Sequence, residues 1–293
     1  MLRPLLSSLV LLLPALLSAQ ADSAARRAKE CPSCAEWNAP QKPFRLYGNT
    51  YFVGTRGLSA ILVTSDRGHV LLDAGLPESA KPIMANIREL GFKVEDIKLI
   101  VNSHAHYDHA GGIAELQRVS RGEVVATAPS AKMMERGRSS PDDPQYGLDL
   151  PYAPVASVGT ITDGEIVRGG SVSLTAHRTA GHTPGGTTWT WQSCEGDRCL
   201  DFVYADSQTP VSADSFLFTK STTYPTAISD FEHGFRALEQ LRCDVLVTPH
   251  PGASRLFERV EARALADQGA CRQYAATARQ RLAERVAKER GAR

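Results

Sequence analysis

The sequence predicts an α/β fold, and three observations carry that expectation. Short apolar runs bounded by Gly, Asn, Asp and Ser recur along the chain, as β-strands do. In both halves these runs come first, and stretches with apolar residues at helical spacing follow. No short internal repeat is present. On its own this pattern gives mixed α and β without an architecture.

The elements read in order as follows. Residues 22–43 are a polar, Pro-containing lead-in. Residues 44–53 read as a hairpin with Gly48-Asn49 at its turn, and 58–64 and 69–72 as two strands joined by Ser65-Asp66-Arg67-Gly68. Residues 78–90 read as a helix, because Ile83, Ile87 and Leu90 recur at helical spacing and Gly91 stops it. The apolar run 97–101 is a buried strand, followed by a helix at about 113–119 and a strand at 123–128. Residues 139–157, rich in Pro, Asp and Ser, form a long aperiodic loop of the kind that is often functional. The second half has strands at 172–177, 187–191 and 201–204, a helix at 228–241, a short strand at 245–247, and a helix in the Ala/Arg-rich tail.

At 293 residues the chain is long enough to bury a large core, and 42% hydrophobic with 22% charged residues is ordinary for a globular protein. Met1-Leu2-Arg3, an apolar stretch at 5–17, and Ala19-Gln20-Ala21 together predict a secretory signal over residues 1–21, cleaved before Asp22. An uncleaved anchor is the alternative, but the apolar stretch is too short to span a bilayer comfortably. Residues 22–293 then form a single domain. Cleavage removes Arg3 and no acid, so the formal charge falls from +1 to zero. A neutral chain points away from nucleic acid and anionic membranes as partners.

The most informative segment is Ser103-His104-Ala105-His106-Tyr107-Asp108-His109-Ala110-Gly111-Gly112, directly after the strand at 97–101. Neutral imidazoles and a carboxylate are ligands that suit zinc. Six residues at a strand end are too few to wrap one metal tetrahedrally, so the spacing points to ligands divided between two metals. Gly111-Gly112 lets the backbone turn tightly beneath a crowded site. His182, in a Gly/Pro-rich loop, and His250, after the strand at 245–247, stand in similar contexts. His177 and His233 read as structural, and His69 opens a strand next to Asp73.

His-x-His-x-Asp-His after a strand is the signature of the metallo-β-lactamase superfamily. The chain resembles that family over most of its expected mature length. Gly68-His69-Val70-Leu71-Leu72-Asp73-Ala74-Gly75, Ala180-Gly181-His182-Thr183-Pro184-Gly185-Gly186, Tyr204-Ala205-Asp206-Ser207 and Thr248-Pro249-His250-Pro251 extend the match, which is most like subclass B3. The resemblance implies an αββα sandwich, two mixed β-sheets face to face with helices outside. It implies two zinc ions per chain, the first held by His104, His106 and His182, the second by Asp108, His109 and His250. Asp73 would lie beneath the metal loop and orient ligand groups. Ser207 stands where the best-known subclass has a cysteine ligand, and His109 supplies the missing ligand, as in B3. Thioester hydrolases of the family place a bridging aspartate there. Asp206 is one residue earlier, so a register shift of one would change the subclass reading.

The implied activity is hydrolysis of the β-lactam amide of penicillins, cephalosporins and carbapenems by a zinc-bound hydroxide, in the periplasm, by a monomer without a membrane anchor. Asp108 would also help orient the nucleophile, making it the catalytic side chain. Ser207 and Thr209 would hydrogen-bond the substrate carboxylate. Gln145, in the long loop, is either a substrate contact or an ordinary solvated residue. The alternatives are a glyoxalase-like thioesterase or lactonase, and a non-enzymatic metal-binding protein.

All six cysteines follow residue 21, and an even count in an exported chain suggests disulfides. Six cysteines allow fifteen pairings, of which the nearest-neighbour set is favoured: Cys31–Cys34, Cys194–Cys199 and Cys243–Cys271. Residues 194–199 read as a hairpin tip that a bridge would close, and a bridge between the regions of Cys243 and Cys271 is a feature of the resembled subclass. Cys31-x-x-Cys34 remains open to a redox reading, although no thioredoxin-like context follows it.

Overall fold

The structure, a computed structural model, describes residues 31–291; the expected signal over 1–21 lies outside the described residues. The first strands are β1 (Phe44–Tyr47), β2 (Thr50–Phe52), β3 (Ile61–Val63), β4 (His69–Leu72), β5 (Ile97–Val101), β6 (Glu123–Thr127) and β7 (Gly159–Ile161). They form one sheet in that order, antiparallel through β4 and parallel from β4 to β7. The remaining strands are β8 (Ile166–Gly169), β9 (Val172–Arg178), β10 (Thr187–Glu195), β11 (Arg198–Tyr204) and β12 (Val245–Val247). These form a second sheet, an antiparallel meander with β12 added parallel to β11. The helices are α1 (Cys34–Trp37), α2 (Ala80–Glu89), α3 (Tyr107–Ala110), α4 (Ile113–Ser120), α5 (Ala128–Arg136), α6 (Ala227–Gln240), α7 (Leu256–Glu261) and α8 (Ala270–Gly291).

Strand alternation sorts the apolar side chains into three layers. From β5, Leu99 and Val101 point between the sheets and meet Leu174, Trp189, Phe202, Tyr204, Val245 and Val247. Ile100 points the other way, as does Ile97 ahead of the irregularity at Lys98, against Ile83 and Ile87 of α2 and Ile113 and Leu116 of α4. On the far side, Val203 and Leu246 meet Phe231 and Phe235 of α6 and Ala275 and Leu282 of α8. Both sheets are therefore covered outside by helices and inside by each other, the αββα sandwich that the resemblance implied. Apart from the exposed Lys98, β5 is buried on both faces, which is why residues 99–101 read as an apolar run.

Several elements differ from their sequence reading. Residues 128–136 form helix α5, started by Pro129 near its N-terminus and ended by Gly137 in the left-handed region. β7, β8, α1, α3 and α7 are also additional; each is seven residues or shorter and carries too few apolar positions to show a period. The Gly111-Gly112 pair needs correction. Both residues have ordinary helical φ values, −57° and −86°. What requires glycine there is close approach: a Cβ on Gly111 would lie 2.4 Å from Pro77 Cδ, and one on Gly112 2.4 Å from the Ala74 carbonyl oxygen.

Candidate metal centre

Four chain segments leave the C-terminal ends of strands at one edge of the sandwich and build the site: 102–109 after β5, 179–186 after β9, 205–209 after β11 and 248–250 after β12. Ligand sites of parallel α/β sheets favour this end. Hydrogen bonds between the layers fix the segments. Trp189 Nε1 donates to the Asn102 carbonyl (3.0 Å), Thr187 N to the Ser103 carbonyl (2.8 Å), and Ser59 Oγ to the Thr248 carbonyl (2.7 Å). Gly181 passes over Phe231, where a Cβ would lie 2.4 Å from the ring, so the loop carrying His182 tolerates only glycine there.

Asp73 anchors the whole arrangement. It is fully buried, sits at φ +58°, and accepts from Ser103 N (2.7 Å), Ser103 Oγ (2.6 Å), Asn102 Nδ2 (3.0 Å) and Tyr204 Oη (2.8 Å). Its nearest approach to a metal-motif side chain is 4.0 Å, to His109 Nδ1. Asp73 thus holds the start of the motif backbone more firmly than any ligand ring.

The six predicted side chains meet in two groups. His104, His106 and His182 pack edge to face with ring centroids 4.8–5.1 Å apart. Each spends one ring nitrogen on an outside partner. His104 Nδ1 lies 2.7 Å from Asp206 Oδ1, His106 Nε2 3.1 Å from Asp143 Oδ1, and His182 Nδ1 2.8 Å from the Thr209 carbonyl. Of the remaining nitrogens, His182 Nε2 and His106 Nδ1 lie 3.2 and 3.5 Å from Gln145 Nε2 at the shared cavity, and His104 Nε2 completes the set. In the second group Asp108 Oδ2 lies 3.1 Å from His109 Nε2 and 3.2 Å from His250 Nε2. His109 bridges the groups, its ring 4.4 Å from that of His104.

These distances test whether the residues fit zinc. Zn–N and Zn–O bonds of about 2.0–2.1 Å in tetrahedral geometry put neighbouring ligand atoms roughly 3.3 Å apart. The Asp108 contacts are close to that edge length, and the ligand atoms of His104, His106 and His182 all lie within 4.8 Å of one another. The three-histidine set fits a zinc ion, and a second compact group is formed by His104, Asp108 and His109, with His250 reaching it through Asp108.

The electrostatics agree. Burial, together with the neighbouring imidazoles, holds His104 well below its ordinary pKa, and burial brings His182 down to about 3. Both therefore present neutral nitrogens, as ligation requires. Burial also pushes His106 down, but Asp143 more than offsets this and raises it to about 10. Asp143 acts at Nε2, so a metal at Nδ1 would have to displace a proton from His106 while the Asp143 contact is kept. Burial raises the Asp206 carboxyl well above its usual range.

A cavity of about 270 Å³ opens over both groups. Ser207, Thr209 and Gln145 all line it, with Gln145 Nε2 3.2 Å from His182 Nε2. Asp206 is turned away: Oδ1 is on His104, and Oδ2 is buried where a Cβ on Gly186 would lie 2.3 Å from it. The structure adds Trp37, Leu148 and Asp149 to the cavity wall and Asp143 behind His106, none of which the sequence singled out. His69, bonded to Ser65 N, His177, on Thr190 Oγ1, and the exposed His233 stand outside it.

A family model for the metallo-beta-lactamase superfamily matches residues 53–250, more than half of the chain. Among solved structures, Rm3 metallo-beta-lactamase is 54% identical with a TM-score of 0.87, over 89% of this chain and 99% of that one. MEM-A1, a subclass B3 metallo-beta-lactamase from a soil metagenome library, is 45% identical with a TM-score of 0.86, over 88% and 100%. A ribonuclease of Thermus thermophilus is 31% identical over 173 residues, 54% of this chain, and this match spans 39% of the ribonuclease. The chain belongs to the metallo-beta-lactamase superfamily.

Proposed function

We propose that the protein is a zinc-dependent hydrolase that opens the β-lactam ring of penicillins, cephalosporins and carbapenems, and so confers resistance to them. The observation that carries this is the pairing of a three-histidine set with an Asp108–His109–His250 set under one cavity, in a chain 45% identical to a subclass B3 enzyme. His104, His106 and His182 would hold one zinc, and Asp108, His109 and His250 the other. When bound, the metal lowers the pKa of a coordinated water and polarises the scissile carbonyl. Asp108, placed between His109 and His250 and facing the cavity, orients the nucleophile. Ser207 and Thr209 offer hydroxyls to the substrate carboxylate, and Gln145 offers its amide from the opposite loop.

The geometry of Asp206 supports this reading over a thioesterase. A bridging aspartate would have to face the cavity, and Asp206 faces His104 Nδ1 instead, leaving Ser207 on the cavity wall. We place the mature chain, 22–293, in the periplasm as a single-domain monomer, after cleavage of 1–21 and with three disulfides. Among the described residues, no helix is long and apolar enough to cross a membrane. The deciding experiment assays the zinc-loaded protein against a penicillin, a carbapenem and a glutathione thioester, with and without chelator. Chelator-sensitive turnover of the β-lactams is expected; turnover of the thioester alone would overturn the proposal.

A further inference from the structure

Behind the segment 207–209, on the side away from the metals, lies a second and larger groove. It has a volume of about 730 Å³, within the size range of small-molecule sites, and runs between α7 and α8. Thr209 borders both this groove and the metal cavity. Tyr274 of α8 stands at the partition, donating to the Asp206 carbonyl (3.1 Å) and accepting from Gln208 N (3.2 Å).

The wall of the groove combines two chemistries. One is a row of small apolar side chains, with Ala262, Ala264 and Ala266 exposed along one edge. The other is cationic. Arg255 and Arg281 are exposed and make no ion pair among the described residues. Arg259 is half-buried, its guanidinium donating to the carbonyls of Ser254 (3.0 Å), Leu265 (2.9 Å) and Leu246, with no carboxylate paired to it. Of the acids on the wall, Asp267 is engaged by Gly269 N (2.9 Å), and Glu258 is exposed to solvent. Residues 255–291 hold nine Arg or Lys against five Asp or Glu, although the chain from Asp22 onward is neutral. Asp267 and Glu258 act on the Arg259 guanidinium through space but neither forms an ion pair with it, burial still lowers its pKa, and the planar fork matches a carboxylate.

We propose that this groove binds a small amphipathic carboxylate, its head group at the arginines and its hydrocarbon body along the alanine edge. The test is calorimetric titration of octanoate into the zinc-loaded full-length protein, with 1-octanol as the uncharged counterpart. Heat of binding is read directly, so the result is independent of any β-lactam turnover. Octanoate should bind at least about tenfold more tightly than octanol, a difference of roughly 1.4 kcal/mol. Arg255→Glu with Arg281→Glu should weaken octanoate by a similar factor, and Ala266→Trp, which fills the groove, should abolish it. Should the charge reversal impair folding, Arg281→Gln gives the same direction with a smaller loss. Absence of binding, or equal affinity for octanol, overturns the proposal. So does binding that survives all groove variants but disappears in Asp108→Asn, because the carboxylate would then sit on the metals.

Discussion

Asp206 acts on the site without bordering its cavity: it is fully buried and its Oδ1 holds the Nδ1 of His104 at 2.7 Å. Partners of this kind fix the ring orientation of a ligand, and losing one typically lowers metal affinity about 10- to 100-fold. We therefore expect Asp206→Ala to weaken zinc binding by that factor in a chelator competition while leaving the far-UV CD spectrum intact; unchanged affinity would remove its role. Asp108→Asn is nearly isosteric but should cut turnover at least ~100-fold, the scale of a lost positioned group. Near-normal turnover with two zincs bound would contradict that. Replacing Ser207 and Thr209 together by alanine removes two hydroxyls from the cavity wall but keeps the Thr209 carbonyl that orients His182. KM should therefore rise more than kcat falls, with a loss of about 1–3 kcal/mol for one or two hydrogen bonds. A drop in kcat at constant KM would place these residues with the metal instead. The predicted ligands are legible in the sequence because four of them lie within six residues and the others sit in Gly/Pro contexts. Their outside partners are not. Asp143 is 37 positions from His106 and Asp206 is 102 from His104, so only the fold brings them together.

Among the elements, those with a full amphipathic or apolar period were legible: β5, α2, β9 and α6 appear within two residues of their expected ends. α5 was missed because its Ala, Ser and Met positions carry a weak pattern, and its packing against β6 decides its conformation. Residues 141–149 bring Gln145, Leu148 and Asp149 to the metal cavity and Asp143 behind His106 although no period in the sequence marks them. Two predictions belong to this scale. At the start of α6, Asp230 accepts from Arg178 Nη1 (2.9 Å), Tyr224 Oη (2.9 Å) and Thr226 Oγ1 (3.1 Å). Burial opposes its charge, but these partners prevail and hold its carboxyl below the ordinary value of 3.8. A depressed folded pKa means that the unfolded state takes up the proton first, so the stabilisation is present above the unfolded value and is lost as pH falls through the carboxylate range. Asp230→Asn should therefore lower the Tm at pH 7 and lose its effect toward pH 3; an equal loss at both would show that the charge is irrelevant. The second concerns the covalent ties. The structure joins Cys31 to Cys34, Cys194 to Cys199 across the β10–β11 turn, and Cys243 to Cys271 at the start of α8. Protein from an oxidising compartment should show no alkylation without reductant, and labelling of Cys31 or Cys34 at high occupancy would point to an open pair there.

On the scale of the whole molecule, the metal site and the hydrophobic core are separate structures. The apolar layers between and outside the sheets are filled from the strands and helices, with Leu99, Val101, Trp189 and Phe202 inside and Ile83, Ile113 and Leu116 outside. The ligand segments are instead held by hydrogen bonds to Asp73, Trp189, Ser59 and Asp206. We therefore expect the sandwich to assemble without zinc, in contrast to small zinc domains that unfold without it. Zinc nevertheless stabilises whatever it binds. With free zinc at a hundred times its dissociation constant, one site contributes about 2.7 kcal/mol, and each kcal/mol shifts the Tm of a domain of this size by roughly 2–4 °C. Exhaustive chelation, which empties two such sites, should therefore abolish turnover and lower the Tm by roughly 10–20 °C while the far-UV CD spectrum at 25 °C stays unchanged. Readdition of two equivalents of zinc should restore both. Full activity with one tightly bound zinc per chain would contradict the division of ligands into two sets, and loss of the CD spectrum on chelation would mean that the loops at the strand ends, not the layered core, decide whether the chain folds.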